Sequence, residues 1–174
     1  DRIELCAAMP LGGLTPSLGL LIEARAAVQL PIMAMIRPRP GGFAYSESDF
    51  AVMLRDAELA LAHGADGIVF GCLQFDGQVD IDRVRALVQL AGRRETIFHR
   101  AFDVTPDPYA ALDALIQLGV TRVLSSGQKT SALEGAANLA AYHSHVSGRL
   151  QVLPGGGITA ENVRELVRLT GANQ

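Results

Sequence analysis

Six short runs rich in apolar and β-branched residues recur along the chain: "RIELC", "PIMAMIR", "DGIVFGC", "ETIFHR", "TRVLSS" and "LQVLPGG". They lie about 25 to 35 residues apart, and between them run segments with apolar residues at three-to-four spacing. This alternation constrains the fold more than any other feature. A strand that is followed each time by a helix re-enters its sheet in the same direction, so the strands are parallel and covered by helices. The intervening segments, from "SLGLLIEARAAVQL" to "TAENVRELVRLTG", begin and end as helices do. Ser46, Asp80, Asp107 and Thr159 stand at N-cap positions, with Glu161 close behind Thr159, and several segments close on glycine.

Two architectures satisfy this pattern, an open doubly wound sheet and a (β/α) barrel. Glu4, Arg37 and His99 sit inside or at the end of strand-like runs, which the greasy central strands of an open sheet do not favour. A barrel mouth accommodates such groups at the C-terminal strand ends. The expected fold is therefore an α/β barrel, and the 174 residues read as a single domain, 1–174. A full (β/α)8 TIM barrel takes about 250 residues. One unit is accordingly expected to be missing at each end, and with Asp1 as the opening residue the natural start is expected to lie upstream. Six units would leave two unpaired strand edges, which invite association, so a homo-oligomer or a covering partner is one expectation.

The composition narrows the partners. Fifteen Lys and Arg against 18 Asp and Glu give a net charge of −3, which provides no broad cationic field for a nucleic acid. Charges or glycines interrupt every apolar run before the roughly 20 residues of a membrane span. Cys6 and Cys72 are too few for a disulfide framework, so the expected location is the cytoplasm. "PGGGITAENV" lacks the spacing of a dinucleotide or Walker loop, so no nucleotide cofactor is expected.

Laid along the strands, "RIELCAA", "GGLTPSLGLL", "MIRPRPGGFAYS", "DGIVFGCLQFDGQVD", "FHRAFD", "VLSSGQKTSALEG" and "PGGGITAENV" resemble the CutC family, named for copper homeostasis. The resemblance runs along essentially the whole chain. It implies a (β/α)8 barrel of which this chain covers the second to seventh units. It also implies a part in copper homeostasis and, as a metal-binding expectation, copper as the ion. "RPRPGGF" departs from the family's "RPRGGDF", with Pro40 where glycine stands and one acidic residue lost.

Strand alternation turns Glu4 and Cys6 toward the lumen and Ile3 and Leu5 toward the helices; in "ETIFHR" it turns His99 inward with Ile97 and Phe98 outward. Glu4, His99, Arg100 and Asp103 are the candidate catalytic groups. Arg37, Arg39, Ser125, Gln128, Gly155 and Gly156 are the candidate ligand-binding residues, since guanidinium forks and glycine-rich turns suit a carboxylate or phosphate. His99 would serve as a general base if it titrates near its ordinary value. The rival reading is an internal Glu4–Arg37 salt bridge bracing an inert barrel. Cys6 is the candidate copper ligand, since Cu(I) prefers thiolates. The alternative is two small buried thiols packed as apolar side chains. Two functions remain open: a copper-binding protein, or an enzyme acting on a small anionic metabolite. His63, His143 and His145 read as helix ends and solvated loop.

Overall fold

In the computed structural model, which describes residues 2–172, side-chain caps set the helix starts. The hydroxyl of Ser17 accepts from the Leu20 N–H at the start of α1 (Leu18–Ala27), and Ser46 and Asp49 form a reciprocal capping box at the start of α2 (Glu47–Ala62). Asp80 opens α3 (Ile81–Ala91), and Asp107 opens α4 (Pro108–Leu118) by accepting from the Tyr109 and Ala110 N–H groups. The last two helices, α5 (Ala136–Val146) and α6 (Val163–Thr170), begin without a side-chain cap. Thr159 does not cap α6. That helix starts three residues later than the sequence suggests, at Asn162, whose Oδ1 instead accepts from the Thr159 N–H at 2.9 Å. His143 and His145 lie in the last turn of α5 rather than in a loop, and His145 Nε2 is 2.8 Å from Asp113 Oδ1 of α4.

The strands are β1 (Ile3–Leu5), β2 (Ile32–Met35), β3 (Gly67–Phe70), β4 (Glu95–Phe98), β5 (Arg122–Ser125) and β6 (Gln151–Pro154). All pair in parallel, each with its sequence neighbour, in the order β1-β2-β3-β4-β5-β6. A doubly wound sheet requires a point where the order reverses. None occurs here, so the architecture is an incomplete (β/α) barrel of six units.

The two faces of the curled sheet bury different clusters. Ile32, Ala34, Ile68, Phe70, Phe98 and Val123 pack outward against helix residues such as Met53, Leu87, Leu112 and Leu139. Met33, Met35, Val69 and Ile97 face the lumen, with Cys6 and Leu124 against them. The alternation expected for β1 and β4 is therefore present: Leu5 and Phe98 join the outer layer, and Cys6 and Ile97 the inner one. At the N-terminal end of the lumen, Glu95 receives two bonds from Arg122 at 2.8 and 3.1 Å and one from Arg2, while Arg122 Nε donates to Gln151. This polar layer is internally paired, which leaves the opposite mouth as the end with chemistry to offer. Among the described residues no helix is long and apolar enough to cross a membrane.

Candidate functional site

At the C-terminal ends of the strands a cavity of about 170 Å³ is bordered by Glu4, Arg37, His99 and Arg100, with Met35, Phe43 and Leu124 as its apolar wall. Four side chains from three strands, Glu4 of β1, Arg37 after β2, and His99 and Arg100 after β4, thus converge, and they differ in how fully they are engaged.

Arg37 follows β2. Its Nη1 donates to the carbonyls of Leu11 and Gly13 at 3.0 and 3.1 Å, and its Nη2 donates to the Gly41 carbonyl at 3.0 Å. The guanidinium also lies 5.2 Å from the centre of the Phe43 ring. It ties two rim loops together and makes no bridge to Glu4, so the salt-bridge reading does not hold. Among the described residues the Glu4 carboxylate has neither a hydrogen bond nor an ion pair. Its side chain reaches solvent through the open lumen, yet the surrounding protein still withdraws enough water to raise its pKa.

His99 ends β4 and caps a 3-10 turn over Arg100–Val104, where its Nδ1 accepts from the Ala101 N–H at 3.1 Å. A ring nitrogen that accepts from an amide carries no proton, so neutral His99 bears its hydrogen on Nε2. That nitrogen is buried and has no partner among the described residues, and the residue is only 4% exposed. Burial first, and the positive charge of Arg37 second, press its pKa down to about 3. His99 is therefore a neutral hydrogen-bond donor at pH 7, which corrects the expectation of a base titrating near neutrality. Phe43 and Phe98 hold the ring at centroid distances of 5.1 and 6.2 Å. Gly71 provides its space, because a Cβ there would stand 2.5 Å from Nδ1.

The depressed His99 pKa has a consequence for stability. Between about pH 3 and the ordinary value of 6.5 the unfolded chain binds a proton that the folded chain refuses. Stability from this group is fully present above 6.5 and is lost as pH falls toward 3, by an amount on the order of a few kcal/mol. Denaturant titrations at pH 7 and pH 4.5 are expected to show this loss in the wild type and a smaller one in His99→Phe.

The remaining predicted residues act as braces. Asp103, with its side chain 8% exposed, accepts from Arg100 Nε at 2.8 Å, Ser125 Oγ at 2.6 Å, the Ser126 N–H and hydroxyl, and the Gln128 N–H. Its oxygens are fully engaged, which marks it as architectural. Ser125 is buried between Asp103 and the Gly127 N–H, while Gln128 reaches away from the mouth to the Thr105 carbonyl at 2.8 Å. Arg39 holds its own loop through Asp49 and the carbonyls of Gly42 and Ala44. Gly155 is packed against Leu124, and Gly156, at φ +109°, lies against Arg100 Nη1. Arg100 is half-exposed, anchored through Asp103 and Ser126.

The two cysteines occupy opposite faces. Cys72 is buried in the outer layer, and burial, with a smaller contribution from Asp80, pushes its pKa up to about 12. Cys6 lies on the inner face, its thiol raised by burial and then by Glu4, with Sγ 3.1 Å from Met9 Sδ. Among the described residues no group of three or more His, Cys, Asp and Glu is placed to hold a metal. The soft pair Cys6–Met9 is the arrangement that fits a thiophilic ion. Sequence reasoning missed Met9, although a sulfur three residues beyond a cysteine was visible. It also missed Phe43, the aromatic of the "PGGF" loop, and Gly71.

A larger cleft, of about 740 Å³, opens outside the barrel beside Tyr45, Phe50 and Phe75. Of its charged groups, Arg83 pairs with Glu47 and Asp80, Asp82 pairs with Arg85, and Asp76 accepts from Gln78.

Comparison with known proteins agrees with this fold. A family model described as the CutC family matches residues 1–174. A Treponema denticola family protein CutC is 51% identical over 174 residues, covering all of this chain and 71% of the relative. The human copper homeostasis protein cutC homolog is 45% identical over 174 residues, and the chain spans 64% of its length. A CutC crystal structure from Streptococcus agalactiae shares 32% identity at a TM-score of 0.96, covering 100% of this chain and 86% of that one. Matched by the family model along its full length and by that structure in fold, the chain belongs to the CutC family.

Proposed function

We propose that the barrel mouth binds a small metabolite bearing a carboxylate or carbonyl oxygen. The observation that supports this most is His99 Nε2, a buried donor without a partner on the wall of the cavity. Leaving such a group unmet costs about 1–3 kcal/mol, which a ligand oxygen would recover. Among the described residues the other two buried polar atoms without partners are Arg37 Nε, on a residue that borders the cavity, and the hydroxyl of Tyr45, which borders the outer cleft within electrostatic reach of Arg37. Arg100 adds a half-exposed cation suited to an anionic ligand. Saturation-transfer NMR with small 2-oxo and hydroxy acids is expected to show binding. His99→Phe keeps an aromatic ring but removes the Nε2 donor, along with the Nδ1 acceptor of the Ala101 N–H, and is expected to weaken it about tenfold. Undiminished binding in that variant would remove His99 from the site.

A second reading, Cu(I) handling, is favoured by the Cys6–Met9 pair and by the copper homeostasis names of the human and mouse relatives. Thiolate and thioether are the ligands Cu(I) prefers, and Met35 contributes a further sulfur side chain to the same inner layer as Cys6. Under anaerobic Cu(I) titration, Cys6→Ser is expected to lose at least about tenfold in affinity, since removing one soft ligand from a two-sulfur site leaves only a thioether. Unchanged affinity would exclude this pair as the copper site. A reducing compartment such as the cytoplasm suits the free thiols of Cys6 and Cys72. The outer edges of β1 and β6 suit association with another chain.

A further inference from the structure

We infer that the mouth is a proton-transfer site for small ketones or 2-oxo acids: Glu4 removes a proton from the carbon beside the carbonyl, and His99 Nε2–H holds the oxygen on which charge collects. The inference rests on the mouth as a ligand site and assigns its chemistry. Three observations support it. Glu4 and His99 border one cavity from different strands, β1 and the end of β4, so a carbonyl compound would lie between an acceptor and a donor. Among the described residues Glu4 has no hydrogen-bond or ion-pair partner, unlike Asp103, whose oxygens are filled; of the two carboxylates proposed for catalysis, only Glu4 is available to take a proton. The Ala101 N–H fixes His99 as the Nε2–H tautomer, so it cannot act as the base and can only donate.

A carboxylate base facing a neutral imidazole donor is an established arrangement for enolisation. The C–H pair of electrons becomes the new C=C bond, and the carbonyl π pair moves onto the oxygen held by His99. The proton resides on Glu4 until it is returned to carbon, so no oxidant or co-reactant is required. Burial supports the donor role of the imidazole, because it keeps His99 uncharged.

The test is hydrogen exchange in D2O, followed by proton NMR, with pyruvate and dihydroxyacetone as probes and saturation transfer recorded on the same samples. Wild type is expected to wash out the protons beside the carbonyl of at least one probe about 100-fold faster than buffer. Glu4→Gln is expected to return the rate to that of buffer while still binding the probe and melting as a folded protein. His99→Phe is expected to lose about 100-fold in turnover rate. Binding without exchange would overturn this chemistry and leave the mouth a ligand site. Absence of binding would overturn both. Exchange undiminished in a folded Glu4→Gln would remove Glu4 as the base.

Discussion

Replacing Asp103 by alanine is expected to destabilise the protein by about 3–5 kcal/mol, the range for removing one side of a buried, multiply bonded carboxylate. The carboxylate gathers Arg100 Nε, the Ser125 hydroxyl, the Ser126 N–H and hydroxyl, and the Gln128 N–H, and so joins the 3-10 turn after β4 to the loop after β5. Alanine leaves the two backbone donors without partners at about 1–3 kcal/mol each if water cannot reach them. It also releases Gln128, a non-glycine residue held at φ +57°. Asp103→Asn is expected to fall between wild type and alanine, since one oxygen remains to accept but the amide nitrogen faces donors. Urea titration at pH 7 checks the order: the midpoint should fall in the series while the slope stays constant. A midpoint for Asp103→Ala within error of wild type would mean that the loops hold without this brace, and that Arg100 is oriented by Ser126 alone.

Gly71→Ala is expected to cost about 3 kcal/mol, the upper part of the range for overpacking a closed site. The added Cβ would meet His99 Nδ1 at 2.5 Å and Ala101 Cβ at 2.8 Å. The His99 ring has little room to yield, with Phe43 and Phe98 beside it and its Nδ1 capping the following turn. Displacement of the ring breaks the bond from Ala101 and opens the imidazole to water. Its NMR titration should then move from about 3 toward the ordinary 6.5. Gly42→Ala is the control, because a Cβ there meets nothing within 4 Å, and its stability should be unchanged or slightly higher. A Gly71→Ala variant with wild-type stability and an untitrated His99 would show that the wall of the mouth is plastic.

These two sites show where sequence reading stops. The caps Ser46, Asp80 and Asp107 were legible because a cap bonds to an amide two or three residues along the chain. Thr159 misled because the N-cap position falls three residues later, at Asn162, whose side chain accepts from the Thr159 N–H and leaves α6 without a side-chain cap. The inward direction of Cys6 and the outward direction of Phe98 followed from the period of a strand. Arg37, Arg39, Ser125 and Gln128 were placed at the mouth as free groups, but each has found protein partners, and those of Arg37 are loop carbonyls contributed by Leu11, Gly13 and Gly41. No spacing along the chain encodes that engagement.

By itself, the sequence determined six repeated strand–helix units, parallel pairing, and the faces on which the residues of β1 and β4 lie, because backbone periodicity and capping are local. Only the tertiary structure decided which polar groups at the mouth remain available. Availability depends on donors and acceptors brought from distant loops and on how completely water is excluded. Asp103 was thereby filled, Glu4 left open, and His99, on the lining of the cavity, held neutral with its Nε2 proton unpartnered among the described residues.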